Sequence, residues 1–273
     1  MTARDFRFGV GLLPKQTRAA WQDTARRAED LGFDILQVPD HLGAPAPFPA
    51  LISAADVTSI NVGTFVLNAG FYKPALLARD VGGLDMLTDG RFELGLGAGY
   101  VREEFEAAEL PFPSAGRRVD YLGHVTRYIR EHLSKVPILI AGAGDRLLTL
   151  AAQHAEIIGI AGATPDSTAD DALAERIEFV WRAAGDRFDQ LELNLAITAV
   201  PRDNSGRPGL SLTRRNAPNL SDEELLKLPG VLSGSPRDIA DTLRRYRDTY
   251  RLTYFTVQEH HAEAFSKVIA ELR

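Results

Sequence analysis

The sequence predicts a single-domain (β/α)8 barrel spanning residues 1–273. Three observations lead there: about eight short apolar or β-branched runs, an amphipathic stretch after nearly every run, and no Pro/Gly/Ser-rich linker dividing the 273 residues. The runs show continuous apolar character rather than strict alternation, as befits strands buried on both faces of a parallel sheet. Strand–helix pairs repeated in that number suit a barrel, and a doubly wound open sheet is the other arrangement the pattern can build.

The strand runs are residues 6–12, 33–38, 60–67, 91–96, 136–140, 156–160, 191–200 and 252–257. After the first run, Trp21, Ala25, Ala28 and Leu31 recur at three- and four-residue steps, with Thr17 placed to cap the helix and Gly32 to end it. A helix from Pro74 to Leu87 opens on a proline suited to the first helical position and closes before the turn pair Asp89-Gly90. The glycines at 142 and 144 precede a helix beginning near Asp145. Ser235-Pro236 opens a helix reaching about Tyr250, with Asp238 in its first turn favourable to the helix dipole. An amphipathic stretch from Ala262 to Leu272 closes the chain. Residues 201–229 form the longest irregular stretch, a loop that is either a functional lid or flexible.

Composition narrows the function. The net charge is −6, from 37 acidic and 31 basic residues, so no global positive field attracts nucleic acid or anionic membrane. The absence of cysteine removes thiolate nucleophiles, Cys-ligated zinc and iron–sulfur clusters. No apolar run approaches the about 18 residues that span a bilayer, and the chain opens without the apolar segment of a signal peptide, which makes the cytoplasm the expected location. Gly-x-Ser-x-Gly, Walker and His-Glu-x-x-His patterns are missing, so hydrolase and NTPase chemistry has no motif behind it.

In a barrel the chemistry gathers at the C-terminal ends of the strands. Four such places offer candidates: Asp40-His41 after the second strand, Asn68 after the third, Gly97-Ala98-Gly99 after the fourth and Gly142-Ala143-Gly144 after the fifth. Of six histidines, His41 alone directly follows a predicted buried strand. It can move a proton near neutrality or merely cap the strand beside Asp40. His124, His132 and His154 fall in helical patterns, and the adjacent His260-His261 pair lacks the spacing of metal ligands, so no metal is expected. Gly95, Gly97 and Gly99 imitate a dinucleotide fingerprint, but Val101 stands where its last glycine belongs. Those glycines suit a flat ring lying close to the strand end. Gly142 to Gly144, just before a helix, suit an anion, or form a tight turn with nothing bound.

The ordered segments FGVGL, AEDLGFDILQVPDHL, VGTFVLNAGFYKPALLARDVGGLDMLTDGRFELGLGAGY, VPILIAGAGDRLLTLAAQHAE and SGSPRDIADTLRRYRDTYRLTYFTV resemble the luciferase-like family, most closely its branch dependent on the deazaflavin coenzyme F420. The resemblance covers nearly the whole chain. It implies a TIM barrel with the deazaflavin ring across its C-terminal mouth, and an oxidoreductase moving a hydride between that ring and a small organic substrate. His41 matches the histidine near the hydride-transfer centre, and Asp40 its partner. Phe65 and Val66 match the strand-three bulge, often a non-proline cis peptide, that supports one ring face. Asn68 matches a polar contact to the ring, and Gly97, Ala98 and Gly99 the strand-four turn. Gly142, Ala143 and Gly144 match the turn that binds the cofactor's phosphate through backbone. Arg146 and the Arg214-Arg215 pair are candidate cations for the anionic tail. A flavin-dependent monooxygenase using FMN and a non-catalytic F420- or flavin-binding protein are the alternatives.

The resemblance further implies a homodimer, and 26 Arg against 5 Lys suits a GC-rich actinobacterial genome. Two departures stand out. The glucose-6-phosphate branch carries Trp four residues beyond the histidine and Glu directly after the strand-four glycines, where this chain has Pro45 and Tyr100. The insertion family members carry before strand five is also largely missing, which leaves the mouth more open or covered by residues 201–229 or a partner subunit.

Overall fold

The computed structural model describes residues 4–15, 17–161 and 171–273. The parallel strands are β1 (Arg7–Gly11), β2 (Ile35–Val38), β3 (Asn61–Thr64), β4 (Leu67–Asn68), β5 (Phe92–Gly97), β6 (Ile138–Gly142), β7 (Ile157–Ile160), β8 (Glu192–Ala196) and β9 (Leu252–Gln258). β1 pairs with both β2 and β9, and β3 pairs with β5, so the sheet closes on itself. β3 and β4 are two halves of the third barrel strand, parted by a bulge at Phe65-Val66 whose peptide bond is cis. The result is a closed eight-stranded (β/α)8 barrel, as the sequence predicts.

The helices around it are α1 (Arg18–Asp30), α2 (Pro47–Ala55), α3 (Pro74–Leu87), α4 (Arg102–Ala107), α5 (Ala115–His132), α6 (Asp145–His154), α7 (Ala172–Ala184), α8 (Ser211–Asn216), α9 (Asp222–Leu225), α10 (Pro236–Tyr250) and α11 (Ala262–Leu272). Their ends follow local chemistry. The Thr17 side chain accepts from the Ala20 N–H, and Ser235 and Asp238 cap each other's backbone at the start of α10. The short span between α5 and β6 confirms that no large insertion covers the fifth strand.

Inside the barrel Ile35, Leu139, Ile157 and Tyr254 form a buried cluster, against which Phe65, Val66 and Ala141 pack from the C-terminal side. The N-terminal end is closed by charge. Arg7 reaches Glu93 at 2.8 Å and Glu192 at 2.6 Å, and the buried Tyr254 hydroxyl donates to Glu93 at 3.1 Å. Burial raises the Glu93 pKa, and Arg7 opposes that rise.

Two stretches depart from the sequence reading. The seventh run, expected to continue to residue 200, leaves the barrel after Ala196: the Ile197 N–H still bonds the Thr256 carbonyl, but the Thr198 N–H turns to Gly230. Residues 201–229 also contain two short helices, α8 and α9, rather than irregular chain throughout. Thr213 of α8 is buried against Thr198, hydroxyl to hydroxyl at 2.9 Å. Ser221 and Glu224 form a capping box at α9, whose Leu225 is fully buried.

Candidate active site

A cavity of about 520 Å³ opens at the C-terminal ends of the strands. Asp40 and His41 beyond β2, Asn68 at the end of β4, Gly97 at the end of β5 and Gly142 at the end of β6 all line it. Its volume suits a drug-sized or cofactor ligand. Phe65 and Val66 form part of the floor, and Ala98 and Gly99 part of one wall. Ala143 and Gly144 follow Gly142 directly, with Gly144 in the N-cap position of α6.

Asp40 is an anchor. Its Oδ2 accepts from the Asn68 N–H and from the Tyr72 hydroxyl, each at 3.1 Å, tying the end of β2 to the end of β4. Burial pushes the Asp40 pKa up, and those two donors hold it back. Burial beside Asp40 likewise pushes the Tyr72 phenol upward. The Tyr121 hydroxyl donates to the Tyr72 carbonyl at 2.8 Å, extending the network to α5.

Asn68 is buried, and its Oδ1 accepts from the Gly70 N–H at 3.0 Å. That bond makes it the cap of the short turn at 69–71. The strand-four glycines are fitted to this corner. A Cβ on Gly97 would stand 2.7 Å from Val66 Cγ2, and one on Gly99 would stand 2.2 Å from Asn68 Oδ1. Gly99 also has a φ of +71°, a conformation costly for any residue with a side chain. Internal packing therefore accounts for both glycines, where the sequence suggests only access for a ring.

Gly144 differs. A Cβ there would meet nothing within 4 Å, and its φ is an ordinary −75°. No side chain caps α6, whose first turn begins with Asp145. The turn at 142–144 thus has the donors and the room an anion needs.

His41 is half exposed, and its Nδ1 lies 2.8 Å from Glu104 Oε1. Sequence reasoning missed Glu104, one of four acids in a run that reads as a solvated helix face. It also missed Arg118, the only Lys or Arg among the described residues lining the cavity. Arg118 donates to the Gly99 carbonyl at 2.8 Å and the Pro113 carbonyl at 2.6 Å, and lies over the Phe112 ring. The cations suggested by sequence are engaged elsewhere: Arg146 with Asp120, and Arg214 with Asp222.

The other histidines lie apart from this cavity. His124 and His132 are on α5 and His154 on α6, while His261 is buried with one ring nitrogen 3.3 Å from the Thr198 carbonyl. No group of three or more potential metal ligands occurs among the described residues. No helix among them is long and apolar enough to cross a membrane.

Comparison with known proteins finds a family model and several relatives similar to this chain. A model described as luciferase-like monooxygenase matches residues 5–129, from β1 to α5. The 5,10-methylenetetrahydromethanopterin reductase of Archaeoglobus fulgidus is 28% identical over 54% of this chain and 50% of its own length. The F420-dependent glucose-6-phosphate dehydrogenase of Intrasporangium calvum is 26% identical over 83% of this chain and 84% of its own. The match to the reductase thus spans about half the length of that relative. Among solved structures, an F420-dependent secondary alcohol dehydrogenase in complex with an F420–acetone adduct aligns with a TM-score of 0.76 at 18% identity, covering 99% of this chain and 100% of that one. The long-chain alkane monooxygenase LadA aligns with a TM-score of 0.77 at 13% identity, covering 99% and 92%. These structural likenesses show a shared fold. The chain is thus similar to the luciferase-like family over residues 5–129, and a methylenetetrahydromethanopterin reductase and an F420-dependent dehydrogenase are among its matched relatives.

Proposed function

We propose that this chain is an F420-dependent oxidoreductase that moves a hydride between the deazaflavin and a small organic substrate, with His41 carrying the accompanying proton. The observation that carries the reading is the convergence of Asp40-His41, the Phe65-Val66 bulge, the strand-four glycines and Gly142 on one cavity; Ala143 and Gly144 follow Gly142 but do not line it. The name of the matched F420-dependent glucose-6-phosphate dehydrogenase supports the cofactor.

The residues present fit the cofactor. The bulge backbone at Phe65 and Val66 gives the ring a floor, with Asn68, Gly97, Ala98 and Gly99 along its edge. Gly142, Ala143, Gly144 and the uncapped start of α6 can hold its phosphate through N–H groups, and Arg118 adds a positive charge to the wall. When bound, the deazaflavin supplies the hydride chemistry. Asp40 holds the β2 and β4 ends in register, so that His41 stands at the cavity edge where it can take or give a proton. With Pro45 and Tyr100 at the two departing positions and one lining cation, glucose 6-phosphate is not the substrate in this reading.

In this reading the enzyme works in the cytoplasm as a homodimer. Leu76, Met86 and Leu87 of α3 are exposed apolar side chains suited to such pairing.

The test is anaerobic turnover of F420 across a panel of small alcohols, aldehydes, ketones and enones. His41→Ala should lower turnover by about 10²–10⁴-fold while F420 affinity stays within a few-fold. Equal activity of the variant would remove His41 from the chemistry. Binding without turnover of any candidate would favour a carrier protein.

A further inference from the structure

The chain lacks the Glu expected directly after the strand-four glycines; Tyr100 stands there and is 78% exposed. A carboxylate nevertheless enters the cavity one helical turn later. Glu104 is the third residue of α4 and lines the cavity, its side chain only 15% exposed. The other acids of the same run, Glu103, Glu106 and Glu109, are exposed.

The placement is fixed by its neighbour. Phe105 is 2% exposed and sits between the rings of Phe71 and Phe112, with centroids 5.3 and 5.2 Å away. Gly70 leaves room for it, since a Cβ there would stand 2.7 Å from the Phe105 ring. With Phe105 locked, α4 cannot roll, and Glu104 is held toward His41.

We propose that Glu104 is a positioning residue for His41, supplying from α4 a carboxylate that the strand-four turn lacks. The inference rests on the proposed proton-carrying role of His41. An ionised carboxylate only accepts hydrogen bonds, so the 2.8 Å contact requires the hydrogen of the neutral ring to sit on Nδ1. Nε2, which has no hydrogen-bond partner among the described residues, then keeps its lone pair for the substrate. Free histidine prefers the opposite tautomer, so Glu104 turns the ring into the form that accepts a proton at Nε2. A proton arriving there leaves its electron pair on the substrate, and the imidazolium formed is stabilised by the adjacent carboxylate. Asp40, next in the chain, is already engaged by the Asn68 N–H and the Tyr72 hydroxyl, and is not hydrogen-bonded to the His41 ring.

The tautomer is read directly from the ¹⁵N shifts of His41 in labelled, cofactor-free protein above pH 8. The wild type should show the Nδ1–H form. Glu104→Met, similar in length but without the carboxylate acceptor, should shift the ring toward the Nε2–H form. Glu104→Gln, which keeps an acceptor but no charge, should retain much of the Nδ1–H form. In turnover, Glu104→Met should lose at least about tenfold in kcat with F420 affinity within a few-fold, and Glu104→Gln should fall between it and wild type. An unchanged tautomer in Glu104→Met, or an unchanged kcat despite a changed tautomer, would overturn the proposal. Because the tautomer is measured without cofactor or substrate, a wild type that turns nothing over contradicts the oxidoreductase reading while leaving the His41–Glu104 pairing to its own result.

Discussion

Gly99→Ala probes the corner on which the site is built. At a φ of +71° any side chain costs about 1–2 kcal/mol. The new Cβ would also stand 2.2 Å from Asn68 Oδ1, so Asn68 must move. Moving it breaks the 3.0 Å bond to the Gly70 N–H, and leaving that partly buried donor unpaired costs about 1–3 kcal/mol. We expect a total loss of about 2–5 kcal/mol in urea unfolding. A double-mutant cycle separates the causes. With Asn68→Ala already present, Gly99→Ala should cost only the conformational part, about 1–2 kcal/mol. A loss below about 1 kcal/mol in the wild-type background, or the same loss in both backgrounds, would refute the argument.

Two further outcomes follow from buried charge. Arg7→Met leaves Glu93 inside the barrel without its counter-ion and should cost about 3–5 kcal/mol, much of it recovered by adding Glu93→Gln; denaturant unfolding of the three proteins checks this, and no recovery would contradict it. Burial, aided by the charge of His260, lowers the His261 pKa from 6.5 to about 4. The unfolded chain therefore takes up a proton near pH 6.5 that the folded chain refuses until about pH 4, and stability falls as pH drops across that interval. The effect reaches about 3 kcal/mol at most, so the stability difference between wild type and His261→Gln should slope across pH 4–7, and a flat difference would exclude it.

Much of the barrel is legible in the sequence because strands buried on both faces are largely apolar, as 138–140 and 157–160 are. Asp40, His41, Asn68 and the glycines were legible because barrel topology sends every strand end to one mouth. Glu104 was not, since REEFEAAE carries the signature of a solvated helix and only the packing of Phe105 singles out one acid. Arg118 was hidden in the same way, one of two adjacent arginines on α5 until its carbonyl partners distinguish it. The helix α9 did carry a signal, the Ser221 to Glu224 capping box, but three acids and the single Leu225 give little apolar periodicity beside it. The departure of the chain after Ala196 has no local signal, because it is set by pairing with Gly230, more than thirty residues away.

The central claim is the choice of cofactor, and anaerobic absorbance titration with F420 and FMN at two salt concentrations tests it most directly. Contacts to an anionic tail are charge-assisted and exposed, so salt weakens them, whereas contacts of the ring with the bulge are not screened. The account predicts F420 binding at least about tenfold tighter than FMN at low ionic strength, with the margin narrowing as salt rises. FMN binding as tightly as F420, or tighter, in both conditions would contradict it and make the flavin monooxygenase the better reading.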